Sequence, residues 1–185
     1  MDNWIYEKDL NNKSRFVLGT KGQRSLICIG INPSTAAPNY LDNTLKSVER
    51  ISIKHGFDSW LMLNIYPQRS TDPKGLHKKQ DEKIHQNNLI HIERIFADNN
   101  PAKIWAAWGT LISTRPYLKL CLLDIYKVSS KYNCEWLTIG RQTKDGHPHH
   151  PLYLNSNLLL TPFDINTYLK STTAQQDPDL IPVFL

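Results

Sequence analysis

The chain has 185 residues, 40% hydrophobic and 21% charged, which is enough for one domain to close a core without disulfide or metal staples. Its net charge of +5 permits an acidic partner such as nucleic acid or a nucleotide without requiring one. No apolar run reaches the roughly 20 residues of a membrane span, and Met1-Asp2-Asn3-Trp4 lacks the basic and then apolar order of a signal peptide. A cytoplasmic protein with no membrane partner is expected.

In chain order, Arg15 to Leu18 reads as a weak strand suited to a sheet edge, and Ser25 to Ile31 as a buried strand, short, apolar and rich in β-branched residues. A helix follows from about Asn43 to His55, with Asp42 as N-cap, Leu45, Val48 and Ile51 as its apolar face, and Gly56 as its stop. Trp60 to Ile65 is a second buried strand. From about Asp81 to Ala97 the pattern is again helical, with Ile84, Leu89, Ile92, Ile95 and Phe96 largely on one side. Lys103 to Trp108 and Glu135 to Ile139 read as strands, with a helix between Ile112 and Tyr126.

Alternating strands and helices imply one α/β domain over residues 1–185. Its expected form has three layers, with a mostly parallel sheet of four to five strands between helices. The last stretch, 172–185, turns polar, acidic and Pro-broken, then apolar at Val183-Phe184-Leu185, and reads as an extended tail. In parallel sheets ligands bind beyond the carboxyl ends of the strands, so the loops beginning at Asn32, Asn64, Gly109 and Gly140 are expected to share a rim. Cys28, Cys121 and Cys134 are odd in number, widely spaced and set in apolar sequence, and so read as buried thiols. No cofactor is expected.

Gly30-Ile31-Asn32-Pro33-Ser34 joins a residue that lets a ligand approach closely, an amide, and a proline that fixes the turn. Asn32 can hold a water or a base edge, although an amide is no strong general base. Asn64 interrupts an otherwise apolar strand and must find partners, either as a structural tie or as a reader of a base edge. Arg69-Ser70-Thr71-Asp72-Pro73 reads as a capped turn in which Arg69 can also meet a phosphate, helped by Arg141 and Lys144. Trp105 and Trp108 are core candidates, and Gly109 lets the chain turn at the rim. Gly146-His147-Pro148-His149-His150-Pro151 holds three histidines in four positions. One can donate to a leaving group, whereas His147, His149 and His150 together raise the alternative of a metal-assisted hydrolase, although adjacent His149 and His150 cannot easily aim at one ion.

Taken in order, Gly30-Ile31-Asn32-Pro33, Leu63-Asn64, Ala107-Trp108-Gly109 and His150-Pro151 resemble the motifs of the uracil-DNA glycosylase superfamily, over about residues 25–155. More closely, the chain resembles domain-of-unknown-function family 1643 (DUF1643). That likeness rests on Asn32-Pro33-Ser34-Thr35-Ala36, Thr71-Asp72-Pro73, Ala107-Trp108-Gly109 and the run from Gly146 to Tyr153 that includes Pro148, His150 and Pro151. It brings no activity with it. The glycosylase resemblance implies that fold and cleavage of an N-glycosidic bond in DNA or a nucleotide. Asn32 would position water, His150 would stabilise charge on the departing base, and Asn64 would read its edge. Gly30, Pro33, Ser34, Arg69, Asp72, Trp108, Gly109, His147 and Tyr153 would complete the pocket.

Two departures bear on substrate. Ser34 stands where the classical uracil enzymes carry a tyrosine that excludes a 5-methyl group, which leaves room for a larger base. Leu152-Tyr153-Leu154 replaces the superfamily's wedge after His-Pro, so a free nucleotide is a possible substrate. A non-catalytic module binding nucleic acid or nucleotide is the competing expectation.

Overall fold

The computed structural model describes residues 3–152 and 154–173 of the protein. Its elements are β1 (Trp4–Lys8), β2 (Arg15–Thr20), β3 (Ser25–Gly30), α1 (Asn43–Lys54), β4 (Ser59–Asn64), α2 (Glu82–Asp98), β5 (Ala102–Ala106), α3 (Tyr117–Ser129), β6 (Cys134–Ile139), β7 (Leu160–Pro162) and α4 (Ile165–Thr173). Short 3-10 helices lie at Pro73–Gly75 and Gly109–Thr114. Tyr153 and most of the expected tail lie outside the described residues, and 172–173 belong to α4.

Seven strands form one sheet in the order β1-β2-β4-β3-β5-β6-β7. The four expected buried strands make its parallel centre, β4-β3-β5-β6. The sheet as a whole is mixed, because β1 with β2, β2 with β4, and β6 with β7 pair antiparallel. It is therefore larger and less parallel than the four to five strands expected from sequence. The two outer strands escape a hydrophobic reading for physical reasons. β1 is Trp-Ile-Tyr-Glu-Lys with no fully buried residue, and β7 is three residues long and ends in proline. With β1 outside it, β2 is an inner strand rather than an edge, and Arg15 to Gly19 are buried.

Period-two alternation sends side chains to opposite faces. Leu26, Cys28, Trp60, Met62 and Trp105 pack with Leu45, Val48 and Ile51 of α1, and each such fully buried aliphatic chain contributes about 1.5–3 kcal/mol. Ile27, Ile29, Leu61, Leu63 and Ile104 face Ile92, Ile95 and Phe96 of α2 and Leu118 and Leu122 of α3. One helix thus covers one face and the others cover the opposite face, giving the three expected layers.

Asp42 caps α1 as expected, its side chain accepting from the Leu45 N–H, and Asp81 caps α2 by accepting from the Ile84 N–H. Gly56 takes a left-handed φ of 81° after α1. On α2, Ile84 and Leu89 are only half-buried, while His85 and Asn88 are buried, which an apolar pattern does not reveal. Cys28 and Cys121 are buried and unpaired, whereas Cys134 is half-buried. Among the described residues, no helix is long and apolar enough to cross a membrane.

Candidate functional site

The chain leaves β3, builds α1 and returns as β4 on one side of β3, then crosses through α2 to β5 on the other side. The carboxyl end of β3 is therefore the point where the winding reverses, the usual position for a ligand crevice in an open sheet. A cavity of about 380 Å³ opens there, within the range of small-molecule sites. Gly30, Asn32 and Ser34 of the first loop line it together with His150 and Leu152 of the last loop, Met62 of β4, and Asp42, Asn43 and Thr44 at the start of α1.

The first loop is fixed by backbone ties. Tyr66 N–H donates to Ile31 O at 2.9 Å and Ser70 N–H donates to Pro33 O at 2.9 Å, closing the segment after β4 onto the segment after β3. The Asn32 amide joins this seam, its Nδ2 donating to Ser70 O at 2.9 Å and Pro33 O at 3.1 Å. Its carbonyl oxygen makes no hydrogen bond among the described residues and is left as an acceptor at the cavity wall.

His150 is seated by Gly109. That glycine has a φ of 63°, and a Cβ there would lie 3.2 Å from the His150 Cβ, so the absence of a side chain lets the last loop settle on the end of β5. Leu152 N–H donates to His150 Nδ1 at 3.3 Å, which puts the ring proton on Nε2. Nε2 has no partner among the described residues. Burial lowers the His150 pKa and the carboxylate of Asp42 opposes that shift, so the ring is neutral at pH 7.

The remaining expected site residues are placed differently. Asn64 does not line the cavity. It is fully buried, on the same face of β4 as Met62, and both amide atoms lack partners. Its Oδ1 lies 3.6 Å from where a Gly30 Cβ would be, with Met62 Cε only 2.5 Å from that point. Gly30 thus gives Met62 room to lie over the site, with Asn64 alongside. Replacing this unpartnered amide with an apolar isostere is expected to raise unfolding free energy by about 1–3 kcal/mol. Denaturant titration of Asn64→Leu checks this, and a loss of stability would show that the amide is satisfied in solution.

Arg69 is held by carbonyls and a hydroxyl. It donates to Ser34 O, to Ala36 O at 3.4 Å and to the Tyr6 hydroxyl at 2.7 Å, and it borders a neighbouring hollow. Asp72 stays exposed and accepts from the Lys74 N–H at 2.9 Å, as a capped turn does. Pro33 is buried, and Arg141 and Lys144 are exposed away from the cavity.

Trp108 is fully buried and donates through Nε1 to the Tyr168 hydroxyl at 3.1 Å. His147 Nδ1 shares that hydroxyl at 2.8 Å, and burial lowers its pKa. His147 therefore serves the core beneath α4, while His150 serves the cavity. Among the described residues no three His, Cys, Asp or Glu side chains gather to hold a metal ion.

Arg15, Asp42 and Met62 are cavity residues that the sequence does not single out as such. Asp42 reads only as a cap, yet its second carboxylate oxygen is unengaged at the cavity wall. Arg15 is 2% exposed and donates to Ala36 O at 3.2 Å, while its buried Nε has no partner. Its one sequence signal is a charge at the head of the apolar run Phe16-Val17-Leu18.

A family model described as "Protein of unknown function (DUF1643)" matches residues 15–152. No curated protein and no solved structure matches the chain. The matched segment begins at Arg15 and ends at Leu152, which among the described residues are the first and last that line the cavity.

Proposed function

The chain belongs to the DUF1643 family, and because the matched segment holds every described residue that lines the cavity, we propose that this cavity binds a nucleotide or nucleoside and hydrolyses its N-glycosidic bond. The observation that carries the reading is the convergence of Asn32 and His150, 118 positions apart, on one cavity with their acceptor and donor atoms unengaged.

Water held on Asn32 Oδ1 attacks the anomeric carbon as the bond from that carbon to the base nitrogen breaks. The electrons of the broken bond leave with the base, where the Nε2–H of His150 meets the developing negative charge. Asp42 accepts the proton of the attacking water, supplying the basicity that the Asn32 amide lacks. The departing base takes up a proton on release, so the sum is nucleoside plus water to base plus sugar. The resemblance to uracil-DNA glycosylases supports this scheme in the order of its motifs, and Ser34 leaves space for a substituted pyrimidine.

A second reading, a binding module that performs no chemistry, is favoured by the position of Asn64. The residue that would read the base edge lies beside Met62, outside the set that lines the cavity. Base recognition by Asn64 requires the flexible Met62 side chain to swing aside.

Chromatography of free base separates the two readings. Wild type and Asn32→Ala are incubated with single-stranded DNA, mismatched DNA and free nucleotides carrying modified pyrimidines. Base release by wild type alone is the expected result. Binding without release on any of these substrates would leave the module.

A further inference from the structure

Arg15 and Arg69 converge on one carbonyl, Ala36 O, at 3.2 and 3.4 Å. Among the described residues neither forms an ion pair with a carboxylate, and the Nε of each is buried without a partner. Burial, and then the neighbouring charge of Arg69, push the Arg15 pKa down to about 10, so it remains a cation at neutral pH. A buried cation beside a like charge is costly unless something compensates it. Asp42, the one carboxylate lining the cavity among the described residues, raises that pKa without an ion pair to either guanidinium.

Arg15 itself lines the cavity. Around it stand the hydroxyls of Ser34, Thr44 and Thr71, none hydrogen-bonded among the described residues. The first two residues of the 12-residue helix α1, Asn43 and Thr44, also line the cavity, so the amino end of the helix lies at its wall. The first N–H groups of a helix have no partner within it and carry its positive end. A buried guanidinium, free hydroxyls and a helix amino terminus together suit a tetrahedral oxyanion.

The geometry points to a phosphate subsite: the ligand of this cavity is a small phosphate ester, a nucleoside monophosphate, whose phosphate is held by Arg15, the amino end of α1 and the hydroxyls beside them. This rests on the reading of the cavity as a nucleotide site and is independent of whether any bond is cut. A small ligand fits better than a strand, because Arg15 is only 2% exposed and so out of reach of a duplex backbone, yet it belongs to the lining of a cavity that a small phosphate ester can enter.

The test is calorimetric titration at fixed ionic strength with deoxyuridine 5′-monophosphate, deoxyuridine, inorganic phosphate and a short single-stranded oligonucleotide, together with thermal melts. Wild type is expected to bind the monophosphate about 10- to 100-fold more tightly than the nucleoside, the range for hydrogen bonds to a charged group. Inorganic phosphate should raise its melting temperature relative to chloride. In Arg15→Met the preference is expected to collapse while the free protein melts no lower than wild type, because a like-charge repulsion has gone.

Equal affinity for monophosphate and nucleoside in wild type would overturn the subsite, as would absence of binding by every phosphate. A preference that survives in Arg15→Met, or tighter binding of the oligonucleotide than of the monophosphate, would do the same. A monophosphate that binds through Arg15 but is never cleaved would leave the subsite standing and remove only the hydrolase.

Discussion

His150→Ala is expected to slow base release by about 100- to 1,000-fold, or about 2.7–4 kcal/mol of transition-state stabilisation, with substrate affinity little changed. The asymmetry follows from the role proposed for the ring: its Nε2–H would face a base that carries little charge when bound and much more as the bond breaks. Alanine keeps the Cβ that packs over Gly109, so the loop stays seated. The local cost is the acceptor taken from the Leu152 N–H, about 0.5–1.5 kcal/mol.

The same variant carries a signature in stability. Burial depresses the folded pKa of His150 below its unfolded value of about 6.5. The unfolded state therefore takes up a proton first, and the stability present above pH about 6.5 is lost as pH falls through the folded value. His147, depressed by burial in the same direction, adds a second contribution. His150→Ala removes one share and leaves the other, so its melting temperature should fall less steeply with acid than that of wild type. Single-turnover kinetics and melts across that window check both halves. An affinity loss that matches the rate loss would make His150 a binding residue only.

The parallel centre of the fold was legible because each of its strands is a short apolar run whose neighbours in sequence are amphipathic helices. The outer strands were not, since pairing rather than burial makes them: β1 is polar along much of its length and β7 is only three residues long. Within the site, Asn32 stood out as an amide just past a glycine strand end, and His150 was picked from its cluster of histidines only by the resemblance of His150-Pro151 to the glycosylase motif. His147 and Trp108 look equally conspicuous in sequence. A shared hydrogen bond to Tyr168, more than 20 positions away from either, assigns both to the core.

Arg15 was hidden for the opposite reason. Nothing in its neighbourhood is unusual, and its meaning comes from Arg69, brought beside it by the segment that follows β4. Sequence points to Arg69 as the phosphate contact, whereas the carbonyls of Ser34 and Ala36 and the Tyr6 hydroxyl engage that side chain, which puts Arg15 at the cavity wall in its place.

Asp42→Asn separates a residue's two roles in one substitution. As an N-cap, asparagine is about as good as aspartate, and the lost attraction between a carboxylate and the helix amino end is worth about 0.3–1 kcal/mol. The fold should therefore survive with little change in melting temperature. Base release should fall by about 100- to 10,000-fold, the range for losing a positioned general base. Affinity for a phosphate-bearing ligand should move the other way. Among the described residues Asp42 is the only carboxylate lining the cavity, and its charge opposes an anion beside Arg15. Slower turnover with tighter binding of the monophosphate is a pairing that a purely capping Asp42 cannot produce, since asparagine keeps the cap and would leave turnover and binding nearly unchanged. Kinetics and calorimetry on this one variant therefore test the carboxylate as base and the arginine as phosphate anchor, and unchanged turnover would remove Asp42 from the chemistry.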